Sequence, residues 1–198
     1  NLMPVEHDEK GTYIFSSKDL CLIKEIPEIV DMGVNSLKIE GRLKTEYYLA
    51  IVVKAYRNAI DKYFEEKDKY SFNPEYLEEL KKVSHRDYTK GFYFGKPSGD
   101  EQNYKTSSYI RDYELLGVVS DYDNDTKTLS VIQKNRFFEG SEVEFLCPHS
   151  DYIKYKITNL KDKDGNKLEV ANRPQEIVKM FSQAPIEIGS LMRGKRIQ

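Results

Sequence analysis

Residues 33–60 read GVNSLKIEGRLKTEYYLAIVVKAYRNAI, and this stretch decides the fold class. Its first part predicts a β-strand over 34–39 that stops in a polar cluster. On such a strand Leu37 and Ile39 share one face, while Lys38 and Glu40 share the other. From Thr45 the period changes. Leu49, Val52, Val53, Tyr56, Ile60, Tyr63 and Phe64 recur at three- and four-residue steps, which predicts an amphipathic helix running to about Glu66. A strand passing through charged residues into a helix is α/β architecture. Ligands in such folds gather at the carboxyl ends of strands. Lys38, Glu40 and Arg42 therefore form the first candidate site. A carboxylate and an ammonium there could bind substrate or move a proton. The Arg42 guanidinium suits a two-pronged grip on carboxylate or phosphate. The plain alternative is an ion-pair cluster tidying the end of a barrel.

Upstream, residues 12–15 form a short β-type run, and Ser16 with Asp19 fits a capping box. Leu20, Ile23, Ile26, Ile29 and Val30 keep an apolar face, broken by Pro27, which belongs in the first turn of a second short helix. Gly33 is placed as the left-handed cap of that helix. The result is a β–α–β unit, which requires parallel strands. Downstream, a shorter helix is expected over 74–84 with Pro74 at its start. Residues 91–95, GFYFG, read as an aromatic strand or clamp bounded by glycines, and 99–108 as an exposed linker.

From Leu115 the period is two. Candidate strands are 115–122, 128–134, 142–146, 153–160, 175–180 and 191–193. Turn signals stand at Asp123-Asn124-Asp125, Glu139-Gly140, 148–150 and Asp164-Gly165. Short strands so spaced predict a small all-β domain, a closed or nearly closed barrel. The chain thus divides into 1–67, an incomplete α/β barrel segment, 68–111, a helical and Gly/aromatic connector, and 112–198, the β-barrel.

The 198 residues are 39% apolar and 32% charged, enough for packed cores, with a formal net charge of −2. The molecule as a whole has no field to draw in nucleic acid or an acidic membrane, and the basic tail at 193–196 is short. Two cysteines, Cys21 and Cys147, belong to no paired motif, which points to a reducing cytoplasm. No apolar run is long enough to span a bilayer. The opening Asn1-Leu2-Met3 carries no targeting pattern, and a truncated fragment is the simplest expectation.

GTYIFSSKDLCLIKEIPEIVDMGVNSLKIEGRLKTEYYLAIVVKAYRNAID at 11–61, HRDYTKGFYFGKP at 85–97 and YELLGVVSDYD at 113–123 resemble the collagenase-like peptidases of unassigned catalytic type, peptidase U family thirty-two. The likeness covers nearly the whole chain. It implies the last strands and helices of a TIM-type barrel followed by a C-terminal β-barrel. Members are classed as proteases, collagenases and hydrolases. Others take part in hydroxylation of tRNA, ribosomal RNA or quinone precursors with an iron–sulfur cluster on four cysteines. The family's Asp-Leu-Cys segment corresponds to Asp19, Leu20 and Cys21, so the resemblance implies that Cys21 is one cluster ligand in a complete parent, with RNA or peptide as substrate. By its own context, between Leu20 and Leu22 on an apolar face, Cys21 reads as a small buried hydrophobe. One thiolate cannot hold a cluster, so no cofactor and no metal is expected on this fragment alone.

His85 is the remaining candidate, as a proton shuttle or as a helix C-terminal cap. No nucleophile elbow and no zinc motif accompanies it. His7 reads as part of a solvated acidic loop, and the run 121–125 as a hairpin turn lacking the glycine and closing Glu of a calcium loop. Without a complete site the fragment is expected to be inactive, and one alternative is that its β-barrel serves as a macromolecule-binding module. An orphan face left by a partial barrel is expected to self-associate.

Overall fold

The structure, a computed structural model, describes residues 6–9, 11–13, 17–96 and 109–196, and it separates into two compact units, 1–111 and 112–198. The first is mixed α/β and the second all-β.

The first unit begins with a hairpin, β1 (Glu6–Asp8) against β2 (Gly11–Tyr13). Residues 14–16 lie outside the described residues, and with them the Ser16 end of the expected capping box. Asp19 is not helical. Asp19–Leu20 is a strand, β3, and a 3₁₀ turn at Ile23–Glu25 leads into α1 (Ile26–Asp31) with Pro27 in its first turn. Gly33, at φ +80°, closes α1 as expected: its N–H reaches the Val30 carbonyl, and that of Val34 reaches Ile29.

Thr45 caps α2 (Glu46–Glu66), its hydroxyl accepting the Tyr48 N–H at 3.2 Å. The buried side of α2 is Tyr47, Ile51, Val52, Ala55, Ala59 and Tyr63, packed on α1 and on α3 (Glu75–Lys81). Ala55 and Ala59 let neighbours approach closely. The phenols at either end are anchored, Tyr63 to Asp31 at 2.7 Å and Tyr47 to the Lys82 carbonyl at 2.9 Å. Part of the expected stripe is therefore not core. Leu49, Val53 and Phe64 are 36%, 50% and 58% exposed. The helix carries two apolar stripes, and within this unit only one is covered.

Residues 34–39 form no strand. A strand exists through its ladder, and none of the described residues offers this segment an edge. The parallel partner of β3 is instead β4 (Tyr88–Thr89), in the register Asp19↔Tyr88 and Leu20↔Thr89. Residues 91–94 are turns rather than an aromatic strand, with Gly91 and Gly95 at φ +55° and +121°. The linker expected at 99–108 lies outside the described residues.

The second unit is a six-stranded antiparallel sheet in the order β11 (Ile177–Phe181), β6 (Thr128–Gln133), β5 (Tyr113–Asp123), β12 (Leu191–Lys195), β8 (Glu142–Leu146) and β9 (Ile153–Lys156). A small pair, β7 (Phe137–Phe138) with β10 (Val170–Ala171), was not legible in the period. Alternation sends Leu129, Val131, Val143, Phe145, Val178, Met180 and Met192 into one core. The sheet curls as a half-barrel rather than closing fully. Its edges meet where the chain leaving β9 reaches β11, Lys161 pairing with Lys179 and the Thr158 carbonyl accepting the Phe181 N–H. The hairpin turns fall where expected. Asp123 accepts the Asp125 and Thr126 N–H groups, and Asp162 those of Asp164 and Asn166.

Candidate functional site

The short β3–β4 pairing matters more than its length suggests, because it draws the Asp-Leu-Cys segment onto residues 85–91. The Asp19 N–H reaches the Asp87 carbonyl at 2.8 Å, and that of Cys21 the Thr89 carbonyl at 2.9 Å. The Asp19 carboxylate accepts the Arg86 N–H at 2.9 Å, and the Arg86 guanidinium reaches the Ser17 carbonyl at 3.1 Å. Two stretches some seventy residues apart are thereby locked side by side.

Between them opens a cleft of about 590 Å³ lined by Lys18, Cys21, Lys24, Glu25, Tyr88, Lys90, Phe94 and Lys96 among others. Cys21 is half-buried on its wall. Tyr56, reaching over from α2, accepts the Leu22 N–H at 3.0 Å and donates to the Cys21 sulfur at 3.8 Å. Burial pushes the Cys21 thiol up from its ordinary 9.0, outweighing hydrogen bonds from the Ile23 backbone and Tyr56 that favour the thiolate. Burial likewise pushes the Tyr56 and Tyr88 phenols far up. The resting group is a neutral thiol, a poor nucleophile.

Glu25 is only 6% exposed, and its Oε1 meets Lys90 Nζ at 2.5 Å. Its other oxygen, Oε2, is buried without a hydrogen bond. Lys90 also lies 4.7 Å over the Phe94 ring, itself 65% exposed. Lys18, Lys24 and Lys96 make no ion pair among the described residues. The cleft therefore offers unpaired cations, an exposed aromatic face and one buried carboxylate. Phosphate, a stacked ring and a hydrogen-bond donor are what these groups would accept.

The other candidates lie elsewhere. Lys38, Glu40 and Arg42 sit on an exposed segment, where Glu40 accepts the Arg42 N–H at 3.1 Å. None of them lines the cleft. His85 is buried at 5% exposure. Its Nδ1–H donates to the Val83 carbonyl at 2.8 Å, its backbone bridges Ile110, and its ring stacks on Tyr88 at 4.9 Å. Sequence reasoning missed Glu25, Tyr56 and the lysines. The signal present was two lysines flanking Asp-Leu-Cys and two flanking the Gly-aromatic segment. No periodicity says that these segments meet.

Among the described residues no three His, Cys, Asp or Glu side chains converge as a metal site, and no helix is long and apolar enough to cross a membrane.

Comparison with known proteins brings two family matches, peptidase family U32 over residues 2–103 and the peptidase family U32 C-terminal domain over 111–193. Among curated relatives, tRNA hydroxylation protein P1 of Bacillus subtilis is 37% identical over 193 residues, 98% of this chain and 46% of that protein. The tRNA hydroxylation protein P of Escherichia coli is 34% identical over 171 residues, 85% of this chain and 36% of that protein. A collagenase of Porphyromonas gingivalis is 27% identical over 158 residues, 79% of this chain and 44% of that protein. The chain thus spans less than half the length of these relatives. Among solved structures, the C-terminal domain of a Geobacillus thermoleovorans U32 peptidase matches at 37% identity and a TM-score of 0.39, over 41% of this chain and 99% of that one.

Proposed function

The chain belongs to peptidase family U32, and on that premise we propose that it is the carboxyl-terminal part of a tRNA hydroxylation protein. One observation carries this reading: identity to a protein of that name runs through 98% of the chain, not through one motif. The cleft beside Cys21 supports it, since its lysines and exposed Phe94 suit a nucleotide strand. In this reading the lysines hold phosphates, Phe94 stacks a base, and Glu25 accepts a hydrogen bond from that base. The parent works in the cytoplasm, where its tRNA substrate is.

The first 67 residues are in this reading the closing segment of a TIM-type barrel, 68–111 a connector and 112–198 a separate β-domain. Two features favour it. Helix α2 has a second apolar stripe awaiting a cover, and residues 34–39 have strand character but no ladder partner. Completed by the rest of the parent, the segment would bring Lys38, Glu40 and Arg42 to a barrel mouth as substrate contacts.

An iron–sulfur cluster needs several thiolates. This chain has two cysteines, one in each unit, and no converging ligand set among its described residues. Its residues alone do not hold such a group. Cys21, on the cleft wall, would contribute one ligand to a site finished by the missing part of the parent.

The alternative reading is proteolysis, favoured by the collagenase relative. The geometry argues against Cys21 as a nucleophile, because its polar neighbour is a phenol and His85 is committed to the Val83 carbonyl. The test is complementation of a deletion strain with the full-length parent, read as hydroxylated nucleosides in its tRNA. Wild type should restore them and Cys21→Ser should not. Restoration by neither, with gelatin cleaved by the purified parent, would overturn the proposal in favour of a protease.

A further inference from the structure

The β-domain carries a cleft of its own, about 590 Å³, walled by β8, β9, β12 and the start of β5. Its lining includes the cations Arg136, Lys154, Lys156, Arg193 and Lys195 against the carboxylates Glu142 and Glu144. The Glu144 carboxylate is already engaged by Arg193, whose Nε and Nη2 approach it at 2.8 and 2.6 Å. The field in the cleft is therefore set by four exposed cations and Glu142. In the ladder Lys154 stands opposite Glu144 and Lys156 opposite Glu142. Yet none of Arg136, Lys154, Lys156 and Lys195 makes an ion pair among the described residues. This concentration occurs in a domain otherwise close to charge balance. Successive even positions put Lys154 and Lys156 on one face of β9, so they follow a strand laid along it. Tyr113 supplies a ring on the same walls, whereas Tyr155 lies on the other face of β9 and packs edge-on to Phe145 in the core.

Unpaired cations tracking a groove beside an aromatic ring are the pattern of a sequence-tolerant single-strand site. We propose that this cleft binds single-stranded RNA, with Arg136, Lys154, Lys156 and Lys195 on phosphates and Tyr113 as a stacking platform. It gives the chain an RNA contact separate from the cleft at Cys21. The choice of RNA over an acidic protein rests on the functional reading above, and the Tyr113 ring favours it independently.

The test is fluorescence anisotropy of a labelled oligouridylate with the whole chain across a salt series. Lys154→Glu/Lys156→Glu should weaken binding about tenfold or more and flatten the salt slope by about 1.4, two contacts at roughly 0.7 each on a single strand. If that variant melts early, Lys154→Gln/Lys156→Gln is measured in its place, with the same direction expected. Lys24→Glu/Lys96→Glu in the same assay reports the Cys21 cleft. Loss confined to that pair would overturn the β-domain site while leaving the functional reading intact. Unchanged binding in the β9 variants, or displacement of RNA by an equal charge of polyglutamate, would also overturn it, the latter in favour of an acidic protein partner.

Discussion

The Tyr56 hydroxyl, held on α2, is shared between the Leu22 N–H at 3.0 Å and the Cys21 sulfur at 3.8 Å. That one group ties α2 to the segment that follows β3 and carries the cysteine. It also sets the thiol's behaviour. Burial holds the thiol neutral, and the phenol's hydrogen bond partly opposes burial. Alkylation of Cys21 by iodoacetamide, followed by peptide mass spectrometry, should therefore rise with pH through a midpoint above 9.0. Tyr56→Phe should move that midpoint further up. A midpoint below the ordinary value would mean that an unrecognised cation stabilises the thiolate.

Arg193 has no exposed surface and is held by Glu144 in the β-domain. The Tyr152 ring lies 4.8 Å from its guanidinium carbon. Glu144→Gln takes away the charge that compensates a buried cation and should destabilise the domain by about 3 kcal/mol. Glu144→Leu/Arg193→Met should recover much of that loss, because the pair's net worth over apolar residues is small. Chemical denaturation of the two variants measures the difference.

Asp162 gathers a tight turn through its Asn166 side-chain and backbone bonds, which hold its carboxyl below the usual 3.8, the Asn166 side chain contributing most. A lowered folded-state value means stability that is present above 3.8 and lost as pH falls through the folded value. Asp162→Ala should thus lower the thermal midpoint at neutral pH, and the gap from wild type should close as the medium is acidified below that point. A gap independent of pH would show that the turn depends on shape rather than on the charge.

Gly117 on β5 lies where a Cβ would meet the Val131 side chain at 2.4 Å and the Ile132 carbonyl at 3.0 Å. Gly117→Ala should cost about 1–3 kcal/mol through overpacking of that strand crossing. Thermal denaturation checks it, and an unchanged midpoint would mean that β5 and β6 separate more easily than their register implies.

Leu49 and Val53 face solvent on α2 beside Phe64, a stripe whose cover is expected in the rest of the parent. The isolated chain should associate with rising concentration in sedimentation velocity. Leu49→Asp/Val53→Asp should abolish that without loss of helical circular dichroism. Association that persists in the variant would place the sticky surface elsewhere.

Local chemistry was legible where a single residue or turn decides a boundary: Thr45 as the start of a helix, Gly33 as a left-handed stop, and the turns at Asp123-Asn124-Asp125 and Asp164-Gly165. The alternation of β6 and β8 likewise shows directly in which residues are buried. Helix α2 was legible as a helix but not in its orientation, because apolar residues on two stripes give one period and two choices of buried face. Residues 34–39 have strand composition, but a ladder needs a second edge that periodicity cannot supply. The cleft was invisible for the same reason. Lys18 and Lys24 gain meaning only when β3 finds β4, a pairing across the helical segment. For His85 the residue type offered a proton shuttle or a cap, and its bond to the Val83 carbonyl shows only where the ring is held.

The most direct test of the central claim, that the lysine-lined cleft beside Cys21 serves tRNA hydroxylation, is nucleoside mass spectrometry of tRNA from a deletion strain. The strain is complemented with the full-length parent carrying Lys24→Glu/Lys96→Glu, expressed at wild-type level. Wild-type parent should restore the hydroxylated nucleoside and this variant should restore about a tenth of it or less, as expected for two lost phosphate contacts. Full restoration by the variant would contradict the claim.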